Sequence, residues 1–248
     1  MSFFPHSRLA AVPSSLSPLV WSGEELAAAP ETVLSTGFDA LDAVLPGAGW
    51  PVGSLVELLQ AHEGQHAWQL LAPGLAAQKE GPVVLVGAPF QPFGPALAAR
   101  GLPAQRLLCV AAARPAERLW ACEQCLRCAD VAAVLAWLPQ ARSAELRRLH
   151  MAAQQHAKLL FVFRRVEARN EASPARLRLL LEGTDMLRIH ILKRRGPPVQ
   201  APVLLPAWPP RLASLLQARS RRDGKVPAAG LPSIDRSIHA LDRTSAFH

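Results

Sequence analysis

The chain has 248 residues, half of them hydrophobic, with four cysteines, a formal net charge of +8 and a pI near 10.3. That length suffices for one α/β domain with a substantial core plus tails. The few cysteines exclude a disulfide scaffold and suit a reducing compartment, and no uncharged apolar stretch reaches the ~18 residues that a membrane helix needs.

Arginine supplies most of the positive charge. Such a balance suits contact with nucleic acid or an acidic partner protein. Ordinary solvated charge gives the same balance, so charge alone selects neither. Residues 1–34 are rich in Pro and Ser, have little periodicity, and are expected to form a mobile arm with one short helix around 24–29. Pro13 and Pro18 interrupt the arm's apolar run and no small-x-small cleavage site follows it. No signal peptide is therefore expected, and the expected location is cytoplasmic.

From residue 35 the pattern becomes regular. "STGFDALDAVLP" predicts a short helix with Ser35 or Thr36 as its N-cap and Phe38, Leu41 and Leu45 on one face. Gly47, Gly49, Pro51 and Gly53 make a turn, and "SLVELL" predicts a strand. "GQHAWQLLAPGLAAQKEG" predicts a helix closed by Gly81 and kinked or shortened by Pro73 and Gly74. Then "PVVLVGAP", "RLLCVAA", "VAAVLAWLP" and "KLLFVF" predict strands. The helices "PFGPALAARG", "RPAERLWACEQCLRCA" and "SAELRRLHMAAQQHA" fall between them. "RLRLLLE" and "MLRIHILKRRG" read as two paired strands joined by "GTD". Strands alternating with helices predict an α/β fold with a mostly parallel sheet, and the last pair predicts an antiparallel edge. This core is placed at residues 35–196. Residues 197–248 read as a Pro-rich, basic and largely disordered tail, with one helix candidate at "RLASLLQA".

His62-Glu63-Gly64-Gln65-His66 matches the zinc-protease signature H-E-x-x-H. Its surroundings oppose that chemistry. Gln69 and Ala72 stand where an extended motif wants Gly and His, and Gly64 inside the motif costs a helix about 1 kcal/mol relative to Ala. The same stretch occupies the place of a phosphate loop, after a strand and before a helix. It has one Gly and no Lys, Ser or Thr, so a triphosphate would find neither its backbone cradle nor its countercharge.

Cys122, Cys125 and Cys128 form C-x-x-C-x-x-C inside a helix-like run. At about 100° per residue, Cys125 lies about 60° and Cys128 about 120° from Cys122, too widely spread to close on one ion without unwinding the helix. No metal or other cofactor is expected. Basic residues cluster at Arg147-Arg148, Arg164-Arg165, Lys193-Arg194-Arg195 and, in the tail, Arg219, Arg221, Arg222 and Lys225. The first cluster reads as solvated charge. The second and third follow strand ends, where α/β sheets bind ligands, and the tail cluster suits a phosphate backbone or an acidic partner.

The segment "STGFDALDAVLPGAGWPVGSLVEL" resembles the entry to a RecA-type ATPase core, and the segments after it, through "LRIHILKRRG", keep a RecA-like order over about residues 33–196. The short core, "GAGWP" and the missing phosphate loop are similar to one group, the ImuA family, sometimes called SulA-like. The resemblance implies a role beside an ImuB-like protein and an error-prone DnaE-type polymerase in SOS-induced translesion DNA synthesis, with RecA as a further partner. Against the RecA pattern, Gln65 replaces the phosphate-loop Lys and His66 the magnesium-binding hydroxyl. Pro89 falls at the catalytic Glu and Leu135 at the metal-binding Asp. With Gly64 these positions mark a degenerate nucleotide site. The expectation is a non-catalytic adaptor; direct DNA contact stays open, and a SulA-type inhibitor of cell division that binds FtsZ is the alternative.

Overall fold

The computed structural model describes residues 32–78, 81–183 and 186–206. The expected helix around 24–29, the tail helix candidate and the tail cluster Arg219, Arg221, Arg222 and Lys225 all lie outside the described residues.

In chain order the strands are β1 (Val33–Leu34), β2 (Trp50–Pro51), β3 (Ser54–Gln60), β4 (Val83–Val86), β5 (Leu107–Val110), β6 (Ala133–Trp137), β7 (Leu159–Arg165), β8 (Leu177–Glu182), β9 (Met186–Lys193) and β10 (Val203–Pro206). The helices are α1 (Asp39–Asp42), α2 (Ala67–Ala77), α3 (Gly94–Ala98), α4 (Pro115–Arg127) and α5 (Ser143–Gln155). The short pair β1–β2 is antiparallel. The main sheet has the order β10-β9-β8-β3-β7-β6-β4-β5. Its strands from β8 to β5 run parallel, and β9 and β10 add the antiparallel edge. This mostly parallel sheet flanked by helices fits the RecA-like α/β fold. No helix among the described residues is long and apolar enough to cross a membrane.

The central strands are buried on both faces, which is why "SLVELL", "VVLV" and "AVLAW" read as continuous runs rather than alternations. Their side chains divide by parity between two layers. Val56, Leu58, Leu85, Leu135 and Phe161 pack with Leu70, Leu71 and Leu75 of α2 and Leu41 of α1. Leu55, Val84, Val134, Leu160 and Val162 pack on the other face with Cys122 and Leu126 of α4 and Leu146 and Leu149 of α5.

Three local expectations change. Neither Ser35 nor Thr36 caps α1: the N-cap is Phe38, whose backbone N–H donates to Thr36 Oγ1 at 3.1 Å. Thr36 and Ser35 instead hold the preceding turn, donating to the Asp42 carboxylate from the Thr36 amide (2.9 Å) and the Ser35 hydroxyl (2.6 Å). Gly81 does not close α2, which ends shorter, at Ala77, with Pro73 and Gly74 inside it. They form the shelf on which residues 35–37 rest. A Cβ on Gly74 would meet the Ser35 carbonyl at 2.7 Å, so only Gly allows the approach. Finally, the core does not stop at residue 196. Val203–Pro206 pairs with β9 and buries Val203 and Leu205. Pro202 precedes that strand and Pro206 ends it, which disguises its four residues as tail.

Candidate functional site

The C-terminal ends of parallel strands carry the sites of open α/β sheets. Here they gather the loop after β3, the loop after β4, and the ends of β6 and β7. Residues 61–66 form a turn, not a helix. His62 and Glu63 are exposed there, whereas His66 is buried and bonds the Gln69 side chain and the Gly183 backbone. Burial lowers the His66 pKa. The two imidazoles of the H-E-x-x-H match are thus not set one helical turn apart on one face. Among the described residues no group of three or more His, Cys, Asp or Glu is placed to hold a metal ion.

Gly64 adopts φ +81°, a left-handed conformation that favours Gly. The loop after β4 closes over it. A Cβ at Gly64 would lie 3.1 Å from the Phe90 ring and 3.3 Å from Pro89. Pro89 thus sits beside the turn at Gly64. Gln65 is exposed and takes no part in this contact. Beneath lies a small cavity of about 120 Å³, lined by Gly64, Trp68, Pro89, Phe90, Phe93 and Trp137 among others. Phe90 and Phe93 remain 72% and 71% exposed, so the rim of this cavity is aromatic and open to solvent.

Leu135 does not belong to this site. It is fully buried in mid-strand, between Leu85 and Phe161 on the neighbouring strands. The residue of β6 that reaches the loop is Trp137, two positions on and on the same face. Its ring stacks on Phe163 at 4.5 Å with an interplanar angle of 13°. Trp137 does not stand out in the sequence, because an uninterrupted apolar strand gives no mark of where it ends. The bracketing prolines of "GAPFQPF" were the available signal for Phe90 and Phe93: aromatics in a Pro-rich loop have no core to enter.

A cation from α4 sits at the same end of the sheet. Arg118 of α4 folds over Gly87, donates from Nε to the Ala112 carbonyl at 2.9 Å, and reaches the Trp137 carbonyl at 3.4 Å. Its guanidinium thus ties strand ends together. Gln60, the last residue of β3, is 2% exposed, and neither atom of its amide finds a protein partner among the described residues.

The basic clusters separate on inspection. Arg164 is no contact residue. It is 4% exposed and held by Glu57 at 3.0 Å and Glu171 at 2.7 Å. Burial opposes its charge, and the bonds to Glu171 and Glu57 more than offset this, raising its pKa. Glu57 also accepts from Arg178 at 2.8 Å, and Arg178 donates to the carbonyls of Ala168, Arg169 and Glu171. The sequence reading missed this buried network because a lone Glu inside "SLVELL" gives no hint of two arginines arriving from β7 and β8. Arg165 stays largely exposed, 3.7 Å from Glu63. Lys193 donates to the Ser173 carbonyl, and Arg194 to those of Pro197 and Val44. Arg195 is half-buried. These residues lie on or after β7 and β9, and no shared site brings Arg165 together with 193–195.

The cysteines keep the helical arrangement. Cys122 is buried, Cys125 half-buried and Cys128 exposed just past α4. Burial raises the pKa of the Cys122 and Cys125 thiols.

No protein-family model matches the chain. Two curated relatives do, both named Protein ImuA, from Caulobacter vibrioides strains NA1000 / CB15N and ATCC 19089 / CIP 103742 / CB 15. Each is 35% identical over 137 residues, covering 51% of this chain and 54% of the relative. The chain thus spans about half the length of the curated relatives it matches.

Proposed function

From the relationship to ImuA over that half of the chain, we propose a non-catalytic adaptor in mutagenic tolerance of DNA damage. The observation that carries this reading is the contact of Pro89 and Phe90 with Gly64. On this reading an aromatic ring and a proline lie where backbone amides would wrap phosphate, and the Lys, Glu and Asp that nucleotide hydrolysis requires have no counterparts at Gln65, Pro89 and Leu135. A RecA-shaped surface kept without these groups offers contacts rather than chemistry. Its partners on this reading are an ImuB-like protein, an error-prone DnaE-type polymerase and RecA.

The test is genetic and biochemical together. Deleting the gene should abolish damage-induced mutation to the same degree as deleting the ImuB-like gene, with no further loss in the double deletion. The purified full chain should retain the ImuB-like protein. Additive losses, or filamentous cells rescued by an FtsZ variant on overproduction, would point to a different role.

A further inference from the structure

Helices α4 and α5 pack side by side on one face of the sheet, and Glu123 of α4 bonds Arg148 of α5 at 2.7 Å. Their outer surfaces leave an open groove of about 980 Å³. Arg127 lines it from α4, and Arg147 and Arg148 line it from α5. Glu123 is the one carboxylate in that lining among the described residues, and Arg148 already holds it. Arg127 and Arg147 are exposed and form no ion pair among the described residues. The groove therefore carries an excess of positive charge that its own walls do not balance.

Large apolar side chains share the same surface. Met151, in the lining, is 57% exposed. Trp120 is 65% exposed and stands on the face of α4 that also carries Glu123 and Arg127, at i, i+3 and i+7. Exposed arginines alone are ordinarily solvated, and a single exposed apolar side chain needs no explanation. Here cations and large apolar groups lie together along two helices of 13 residues, each about 20 Å long. Ala144 and Ala152, also in the lining, are small enough to let a third backbone come close. This pattern is the complement of an amphipathic helix with apolar anchors flanked by carboxylates. A phosphate backbone would meet the arginines too, but it gains little from Met151 and faces the Glu123 carboxylate.

We propose that the α4–α5 groove binds an acidic amphipathic helix of a partner protein, with carboxylates against Arg127 and Arg147 and apolar side chains on Trp120 and Met151. The inference does not depend on the adaptor reading. It places a protein-binding surface on the helical face of the sheet, away from the loops at the strand ends.

The chain has three methionines, Met1, Met151 and Met186, so methyl-labelled Met gives a three-line spectrum with one line from the groove. The probe is a synthetic peptide of about 14 residues, matched in length to α5, with Leu at helical spacing and Glu on the flanking positions. Added to the full-length protein, it should move the Met151 methyl resonance saturably and leave that of Met186 in place. The same peptide with Gln for Glu should bind at least about tenfold more weakly. Arg127→Glu with Arg147→Glu should weaken the Glu peptide by a similar factor at an unchanged melting temperature. An unmoved Met151 signal, or equal affinity for the Glu and Gln peptides, would overturn the proposal. Saturable Met151 shifts with duplex DNA but not with the peptide would overturn it in favour of nucleic acid. Shifts that appear on concentrating the protein alone would overturn it in favour of a second copy of the chain.

Discussion

Glu57 of β3 and Arg178 of β8 stand directly opposite one another in the sheet, and their side chains meet at 2.8 Å with Glu57 fully buried. Arg164, from β7 on the other side, takes the second carboxylate oxygen at 3.0 Å. One carboxylate thus ties three adjacent strands at the centre of the fold. Removing one partner of such a network strands the others without solvent, which typically costs about 3–5 kcal/mol. Glu57→Gln should lower unfolding stability in urea by about that much. A loss under about 1 kcal/mol would show that the arginines find other partners.

The imidazole of His150 accepts a hydrogen bond at Nδ1 from the Leu55 amide at 3.1 Å, so α5 holds the start of β3 through a neutral histidine. Burial, then the charges of Arg176 and Lys193, lower its pKa below 6.5. Burial lowers that of His66 as well. A histidine with a depressed folded pKa binds fewer protons when folded than when unfolded. Its contribution is therefore complete above the unfolded value near 6.5 and is lost as pH falls through the folded one. The melting temperature should drop between pH 7 and pH 5, and His150→Gln, which cannot titrate, should flatten that slope. An unchanged slope would contradict the neutral acceptor.

In the turn after β3, Gly64→Ala should destabilise by about 1–2 kcal/mol, the usual cost of a left-handed non-Gly residue. Part of the cost comes from the Phe90 ring, 3.1 Å from the new methyl. In a Phe90→Ala background the same substitution should cost less, and the difference in a double-mutant cycle measures the contact. Strict additivity would mean that Phe90 does not lie over Gly64.

Gln60 buries both ends of its amide without a protein partner among the described residues. An unsatisfied buried polar group costs about 1–3 kcal/mol. Gln60→Met, similar in shape and apolar, should raise the melting temperature. A lowered one would show that the amide is satisfied in solution.

The alternation of strands and helices was legible because the parallel strands are apolar throughout and their connections carry Gly and Pro. The absence of a phosphate-loop motif was also legible, since it is a matter of residue identity around Gly64 and Gln65. What depends on distant partners was not. Arg164 read as a surface cation until β3 supplied Glu57 beside it. Trp137 went unnoticed because the strand gave no mark of its end, and β10 was hidden between two prolines. Ser35 and Thr36 had the chemistry of caps, but Asp42 drew them into the preceding turn.

On the proposed reading the loop at Gly64 binds no nucleotide. Titration calorimetry of the full-length protein with magnesium ATP, carried to millimolar concentration, tests it most directly. No saturable heat and no phosphate release on prolonged incubation are expected. Saturable binding at micromolar concentration would contradict it.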